Sequence, residues 1–351
     1  MGQNYQKVRS VLIFAVLGIV GGLIWFLFFS PFSPISTQKI ATPQPVTGGQ
    51  LQITEPEDSD VVTVQTLKIS GKTKPGTFLV IANFADSQVL KISDSAEFAL
   101  NLKLVEGYNF IKLTNFAPDG TSAEITLEVF FLSEKFEELT KSQGVATESG
   151  ELAELTKRLT ELRAKKRLKI VAGTVKGILG KNLALETKSG ARTVVFEKPG
   201  KVGSYPDLAK NLDFTQIQAA DFVVAVGSFA QQGILTARIL LVNADKKPEF
   251  SKTAKFGIVE EINEDSLVLT NPLDGGKAIV SIKNAEILDE TGQELKTENI
   301  SVGNKLMIVG AQVKENFAVE KIMVIAGNFL GELEKFTTPP PATQSATPSA
   351  Q

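Results

Sequence analysis

The sequence contains no cysteine and no histidine. Without cysteine the chain has no disulfide, no thiolate nucleophile, no Cys-ligated zinc and no lipid-bearing N-terminal cysteine. Without histidine it lacks the imidazole of Ser-His-Asp catalysis and of His-ligated metal sites. Aspartate and glutamate are plentiful, so carboxylate-pair catalysis survives this exclusion.

Aromatic residues and net charge are also scarce. The 37 basic and 39 acidic residues nearly cancel, so no global basic field attracts nucleic acid. After residue 30 there is no tryptophan, and Tyr108 and Tyr205 are the only tyrosines, so rings on which bases could stack are few. We therefore expect no nucleic-acid partner, no cofactor and no metal site.

One long hydrophobic run stands near the N-terminus. Residues 11–29 carry no charge over a length that just spans a hydrocarbon core of about 30 Å. Lys7 and Arg9 precede the run, and only Lys39 follows within the next twenty residues. By the positive-inside rule, this pattern predicts a cytoplasmic segment 1–10, a transmembrane helix 11–29, and the bulk of the chain outside the cytoplasm on the cell membrane.

Two properties of this predicted helix are open, namely whether it is cleaved and whether it dimerises. A cleaved signal peptide is the other interpretation of the run, but the residues that follow offer no good A-x-A cleavage site and favour a retained anchor. Gly18 and Gly22 form a G-x-x-x-G pair through which two helices could dimerise, although glycine is common in membrane helices for other reasons. The oligomeric state therefore stays open.

Two segments are rich in Pro, Ser and Thr. Residues 30–50 are predicted to form an extended spacer, and residues 328–351 a disordered tail. Between them the chain is long enough for several domains.

Residues 51–132 show short alternating apolar runs that are separated by turn residues. Pro75-Gly76, Glu106-Gly107 and Asp119-Gly120 supply turns between the runs. About seven strands in some 80 residues is the inventory of an Ig-like β-sandwich.

The same segment carries a family resemblance. Ile53 to Pro56, Ile69 to Thr73 and Asp119-Gly120 resemble bacterial Ig-like modules of the glucodextranase B-domain type. The resemblance implies a sandwich fold and a spacer or adhesion role in a surface protein, and it implies little about activity.

Residues 133–169 change period. Leu152, Leu155, Leu159 and Leu162 fall at spacings of three, four and three, which predicts a helix with a narrow apolar stripe. The stripe is barely two heptads long. It therefore favours a helical linker that packs on a neighbour over an oligomerisation zipper.

The remaining segment contains an internal duplication of residues 170–246 and 253–327. Gly173 to Val175 match Gly257 to Val259, and the order of later matches is the same in both copies. Further aligned pairs are Thr193 to Phe196 with Lys277 to Val280, and Arg238 to Val242 with Lys321 to Ile325.

Each copy has five or six strands, opens with G-x-V and contains a V-x-G signal, a pattern that suits a small closed barrel. The copies resemble OB-like β-barrel modules of exported bacterial proteins. The expected fold class is thus mainly β, with an N-terminal transmembrane helix, an Ig-like β-sandwich, a short helical linker and two tandem small OB-like β-barrels.

Three groups of charged residues are candidate sites, each with a structural alternative. The basic run could touch anionic polymers or lipid headgroups, or it could cap a helix C-terminus. The acidic stretch could bind Ca²⁺ or form a solvated turn. Glu260-Glu261 and Asp289-Glu290 could be carboxylate pairs, but nothing places either pair across a cleft. The basic run comprises Arg163, Lys165, Lys166, Arg167 and Lys169, and the acidic stretch comprises Glu55, Glu57, Asp58 and Asp60.

No catalytic residue is assigned by these patterns. The preferred interpretation is a single-pass, membrane-anchored envelope protein with a structural or protein-interaction role and no catalysis. The alternative is a module that binds carbohydrate or a cell-wall polymer. The expected partners are the lipid bilayer and envelope proteins or wall polymers.

Overall fold

The computed structural model describes residues 51–133, 149–164, 168–207, 210–230, 233–243, 250–313, 316–327, 329 and 332. The predicted segments 1–10, 11–29 and 30–50, with Lys7, Arg9, Gly18 and Gly22, lie outside these residues. Nearly all of the predicted tail does too. The described residues all belong to one compact unit, Val46–Gln351.

The first eight strands form a β-sandwich. One sheet has the order β1-β3-β6 and the other the order β2-β8-β7-β4-β5. Alternating apolar residues from both sheets, such as Ile69 and Leu102 against Ile81 and Ile111, form the core between them. The strands are β1 (Gln52–Glu55), β2 (Val61–Val62), β3 (Thr66–Lys72), β4 (Phe78–Ala82), β5 (Ser87–Lys91), β6 (Glu97–Lys103), β7 (Gly107–Phe116) and β8 (Ser122–Phe131).

One α-helix, α1 (Ser149–Ala164), follows the sandwich. Leu155 and Leu159 of its apolar stripe are buried, in a cluster that also contains Phe130 of the sandwich and Phe222 of the next module. The helix therefore packs on its neighbours, as the short stripe predicted.

The first copy of the duplication is a closed barrel with the strand order β10-β11-β13-β12-β9. Its interior is filled by aliphatic side chains such as Val175, Leu183 and Leu240. The elements are β9 (Lys169–Leu179), β10 (Asn182–Thr187), β11 (Gly190–Ser204), the 3-10 helix η1 (Phe214–Gln216), β12 (Phe222–Phe229) and β13 (Leu235–Asn243).

The second copy repeats this order with one strand interrupted. Its strands form a six-stranded sheet, β16-β15-β14-β18-β19-β17, in which β16 also pairs with β19 through only two residue pairs. Both β16 and β17 pair with β19 in parallel, as the longer β11 pairs with β13. The elements are β14 (Lys252–Ile262), β15 (Ser266–Thr270), β16 (Lys277–Ser281), β17 (Glu286–Leu288), the 3-10 helix η2 (Thr297–Asn299), β18 (Lys305–Val313) and β19 (Asn316–Ile325).

The signal expected as V-x-G is an adjacent Val-Gly pair in both copies, and this pair marks the same bulge. The register shifts after Val226 in the first copy and after Val309 in the second. A Cβ added at Gly227 would lie 2.0 Å from the carbonyl oxygen of Thr236, and one at Gly310 equally close to the oxygen of Ala318. Only glycine permits this approach of two backbones.

Two of the predicted alignments between the copies are wrong in register. Strand pairing makes Ile239, rather than Arg238, the counterpart of Lys321. Because a slip of one residue exchanges the two faces of a strand, the corrected match puts Leu241 and Met323 on the same outer face.

The other shift lies in the second hairpin. Val194, rather than Phe196, is the counterpart of Val280, since these valines pair with the equivalent residues Leu183 and Leu267. The difference of two residues arises because the turn before β16 is longer than the turn before β11.

The expected fold class is wrong. It included a transmembrane helix, whereas the described residues contain no helix that is long and apolar enough to cross a membrane, and residues 11–29 themselves lie outside them. The second copy, a six-stranded sheet, closes between β16 and β19 through two residue pairs. The chain is mainly β and rich in β-sandwich structure.

The modules also share cores, which sequence periodicity did not predict. The outer face of the five-stranded sheet is covered by the first copy near Tyr108 and Phe130, and by the second near Phe78 and Val80. The two copies use equivalent outer positions for this contact. These positions are Ile170 with Ala254, Ala172 with Phe256, Val224 with Met307, Val226 with Val309, and Leu241 with Met323.

Candidate functional site

The acidic stretch lies at the junction between the sandwich and the first barrel. Lys169 Nζ donates to Glu57 Oε2 and to Asp60 Oδ1, both at 2.6 Å. Lys188 Nζ lies 2.7 Å from Asp58 Oδ1, which also accepts the Glu128 backbone N–H at 2.9 Å. The stretch therefore joins two modules through ion pairs and is not a freely solvated turn.

The Ca²⁺ alternative for this stretch finds no matching geometry. Within the described ranges no group of three or more acidic side chains is arranged to hold a metal ion. The carboxylates of Glu57, Asp58 and Asp60 instead face lysine ammonium groups, which satisfy their charge.

Lys169 does not belong to a helix C-terminus. Helix α1 ends at Ala164, and Lys169 begins strand β9. Burial opposes its charge, but hydrogen bonds to Asp60 and Glu57 outweigh that cost and raise the pKa of its ammonium group. The side chains of the rest of the basic run lie outside the described residues.

The backbone reinforces this junction. The N–H of Ile170 donates to the carbonyl oxygen of Ser59 at 2.9 Å, and Asp60 forms an antiparallel bridge with Lys169. The edge of the five-stranded sheet therefore continues directly into the first barrel.

Tyr108 and Tyr205 both lie at this junction, with their rings packed against neighbouring modules. The Tyr205 hydroxyl donates to the carbonyl oxygen of Tyr108 at 3.3 Å. Burial raises the pKa of both phenols, and the nearby Glu128 carboxylate raises that of Tyr108 further. These rings pack between modules and are not an exposed stacking platform.

The second copy is fixed to the sandwich by a buried lysine. Lys305 Nζ donates to the carbonyl oxygen of Pro118 at 3.1 Å and to Glu332 Oε1 at 2.8 Å. The ammonium group also lies 4.1 Å from the centroid of the Phe329 ring. One cation thus links the sandwich, the second copy and the segment that follows it.

Three of the four carboxylates in the candidate pairs, those of Glu260, Asp289 and Glu290, have structural partners. Glu260 accepts from Lys277 at 2.5 Å and from Thr270 at 2.7 Å. Asp289 accepts the Thr291 hydroxyl and backbone N–H within one turn, while Glu290 pairs with Lys91 of the sandwich. The neighbours Asp289 and Glu290 therefore make different contacts.

Two clefts flank the junction. The larger, of about 540 Å³, lies between the first strand of the sandwich and the start of β9, and it is lined by Glu55, Val64 and Lys68 among others. The smaller, of about 150 Å³, lies where the first barrel opens toward the sandwich, and Arg192 and Phe229 line it. The sequence patterns did not identify Arg192 or Phe229 as site residues. Alternation along β11 and β12 is the signal that could have found them, because it places both side chains on the strand face that lines the barrel interior.

No protein-family model and no curated protein matches this chain. A carbohydrate acetylesterase from Xanthomonas citri is similar at 15% identity over 22% of this chain and 19% of its own, with a TM-score of 0.18. A Ca²⁺-stabilized adhesin of an Antarctic bacterium is similar at 10% identity over 80% of this chain and 75% of its own, with a TM-score of 0.20.

A 1.5-MDa bacterial ice-binding adhesin is similar at 8% identity over 80% of this chain and 96% of the solved chain, with a TM-score of 0.18. This chain spans about a fifth of the length of the esterase chain. TM-scores of this size do not establish a shared fold, so the family resemblances given above stay predictions.

Proposed function

We propose that this chain is a non-catalytic structural or protein-interaction component of the cell envelope, built as one rigid block. The observation that carries the proposal is that both copies of the duplication pack equivalent outer faces on a single sheet of the sandwich. We also propose that this sandwich is of the Ig-like type.

Rigidity follows from how the modules are joined. Inter-domain motion is the usual expectation when modules share only linkers or small polar interfaces. Here two apolar clusters, the Lys169 ion pairs and the Lys305 contacts all cross module boundaries. Such a block presents its outer surfaces at a fixed spacing, which suits a scaffold better than a flexible tether.

The proposed location in the cell envelope is supported by the sequence alone. Attachment to a membrane and export of the bulk of the chain depend on residues 7–29, and both stay predictions, as do the lipid, envelope-protein and wall-polymer partners. Binding of carbohydrate or wall polymer also stays a prediction, which a glycan array with the full-length chain tests.

Distances between spin labels test the rigid block. The chain has no cysteine, so cysteines introduced at the exposed positions Asp94, Lys181 and Lys283 label the sandwich, the first copy and the second copy without further changes. We expect inter-module distance distributions as narrow as that of a control pair within the sandwich, Asp94 and Lys68. Clearly broader inter-module distributions would reject the proposal.

A second experiment tests the location. A cysteine introduced at Ser345 is expected to react with a membrane-impermeant thiol reagent in intact cells. Labelling that requires lysis would reject the extracytoplasmic orientation and leave the rigid block untouched.

A further inference from the structure

The mouth of the first barrel is the end of its interior that faces the sandwich. Val171 of β9 points into the barrel core at this end. In β11, Arg192 lies on the same face as the interior residue Val194, and in β12, Phe229 continues the face of the interior residue Val223. Arg192 and Phe229 are therefore rim residues of the barrel interior.

A cavity of about 150 Å³ occupies this mouth. An enclosed apolar cavity of similar volume admits benzene, and this mouth is also open to solvent, so it has room for part of a larger ring. The hydroxyl-bearing residues Thr187 and Ser189 line it on one side, and Asp58 lines it on the other. The Phe229 side chain also lines it and leaves 46% of its surface exposed.

Four charged side chains line the mouth, the acidic Asp58 and Glu128 and the basic Lys188 and Arg192, so their formal charges balance. The buried Glu128 carboxylate lies near the Tyr108 hydroxyl, whose pKa it raises. Lys188 and Asp58 neutralise each other at 2.7 Å. Arg192 is half-buried, and no acidic side chain of the described ranges lies within ion-pairing distance of it. A guanidinium group in this state favours a carboxylate, which it binds through two parallel hydrogen bonds.

The second copy shows that the fold does not require these groups. Strand pairing makes Ala278 the counterpart of Arg192, and Gln312 the counterpart of Phe229. Lys255 replaces Val171, and its Nζ lies 4.5 Å above the ring of Phe317, which fills that end of the interior. The guanidinium, the exposed ring and the open mouth belong to the first copy.

We propose that this mouth binds a carboxylate-bearing pyranose, such as a uronic acid unit of an acidic polysaccharide. Arg192 donates to the sugar carboxylate, the ring of Phe229 packs on the apolar face of the pyranose, and Asp58, Thr187 and Ser189 hydrogen-bond its hydroxyl groups. The proposal deepens the carbohydrate-binding alternative and does not depend on the rigid-block role, which the spin-label distances test separately.

Titration of the full-length chain with D-glucuronate, followed by NMR, tests the site. D-glucose and acetate serve as parallel probes that lack the carboxylate and the ring respectively. We expect millimolar binding of glucuronate with shifts confined to amides near residues 187–192 and 229, and much weaker effects of glucose and acetate. Arg192→Gln should weaken glucuronate binding at least about tenfold, and Phe229→Leu should weaken it less.

Matched controls lie on the same barrel. Lys181→Gln removes an exposed cation away from the mouth and should leave the affinity unchanged, while unchanged thermal unfolding shows that each variant is folded. Arg192→Lys keeps the charge but loses the planar fork, and it should bind more weakly than the parent. Equal binding of glucose or of acetate, an unaffected Arg192→Gln variant, or no glucuronate binding would each overturn the proposal.

Discussion

Replacing the bulge glycine of the first barrel tests the structural meaning of the duplicated Val-Gly pair. In Gly227→Ala, the new methyl group would lie 2.0 Å from the carbonyl oxygen of Thr236 and 2.8 Å from the Cα of Ala237. Ordinary contacts of this kind exceed 3 Å by a few tenths, so a paired backbone must move by roughly 1 Å. Strain and overpacking of this size cost about 3 kcal/mol together.

The same barrel supplies a matched control. Gly177 lies in β9 with no heavy atom within 4 Å of an added Cβ. Gly177→Ala is therefore expected to change the free energy of unfolding by no more than about 1 kcal/mol, because the only contribution is a lower entropy of the unfolded chain. Gly310→Ala should reproduce the loss in the second copy, because its added Cβ meets Ala318 at the same 2.0 Å.

Urea unfolding followed by far-UV circular dichroism measures both free energies. We expect Gly227→Ala to lower the free energy of unfolding by at least about 2 kcal/mol more than Gly177→Ala does. If the two variants are equally stable, the bulge accommodates a side chain, and glycine is not required there.

Three further predictions concern the contacts between modules. Leu241→Ala removes a fully buried side chain from the junction cluster and should lower the free energy of unfolding by about 2–5 kcal/mol. Hydrogen exchange should become faster in β8 of the sandwich as well as in the barrel. Loss of protection in the barrel alone would contradict the shared core. The pKa of Lys169 is raised above its ordinary 10.5, so its stabilising contribution is complete below pH 10.5 and is lost as pH rises through the raised pKa. Lys169→Met should therefore lose less stability than the parent between about pH 10 and 12, and an identical alkaline profile would count against the ion pairs. Lys305→Met leaves the Glu332 carboxylate without its cation and should lower the stability measured by thermal unfolding by about 1–3 kcal/mol. Lys283→Met, at an exposed site, should leave the stability almost unchanged. Equal effects of the two substitutions would show that the Lys305 contacts are unimportant.

Local pattern predicted more of the fold than of the candidate site. The sandwich strands, the helix stripe and the order of elements in the two copies follow from alternation and turn residues, which act within a few positions. The register of β13 against β19 was missed because the connection from Phe229 to Leu235 is one residue longer than the equivalent connection from Gln312 to Phe317, and the alignment kept a constant offset. The Lys169 pairs were missed because Glu57 and Asp60 lie more than a hundred residues away in sequence.

Two apolar runs in the sequence indicate that the modules share cores. Val223 to Val226 and Leu306 to Val309 are continuous apolar runs in strands of small barrels. A barrel strand with one solvated face alternates, whereas a strand that is buried on both faces does not. These runs pointed to outer faces that are covered by another module, but not to which module covers them.

The sequence by itself determined the mainly β character, the turns, the short amphipathic helix and the duplication, because each depends on contacts between residues close in the chain. Only the tertiary structure decided that both copies pack the same face on one sheet, that the acidic stretch meets Lys169 and Lys188, and that Arg192 and Phe229 share the mouth of the first barrel. Those arrangements depend on burying apolar area between distant segments, and the choice of partner is fixed by shape and charge in three dimensions.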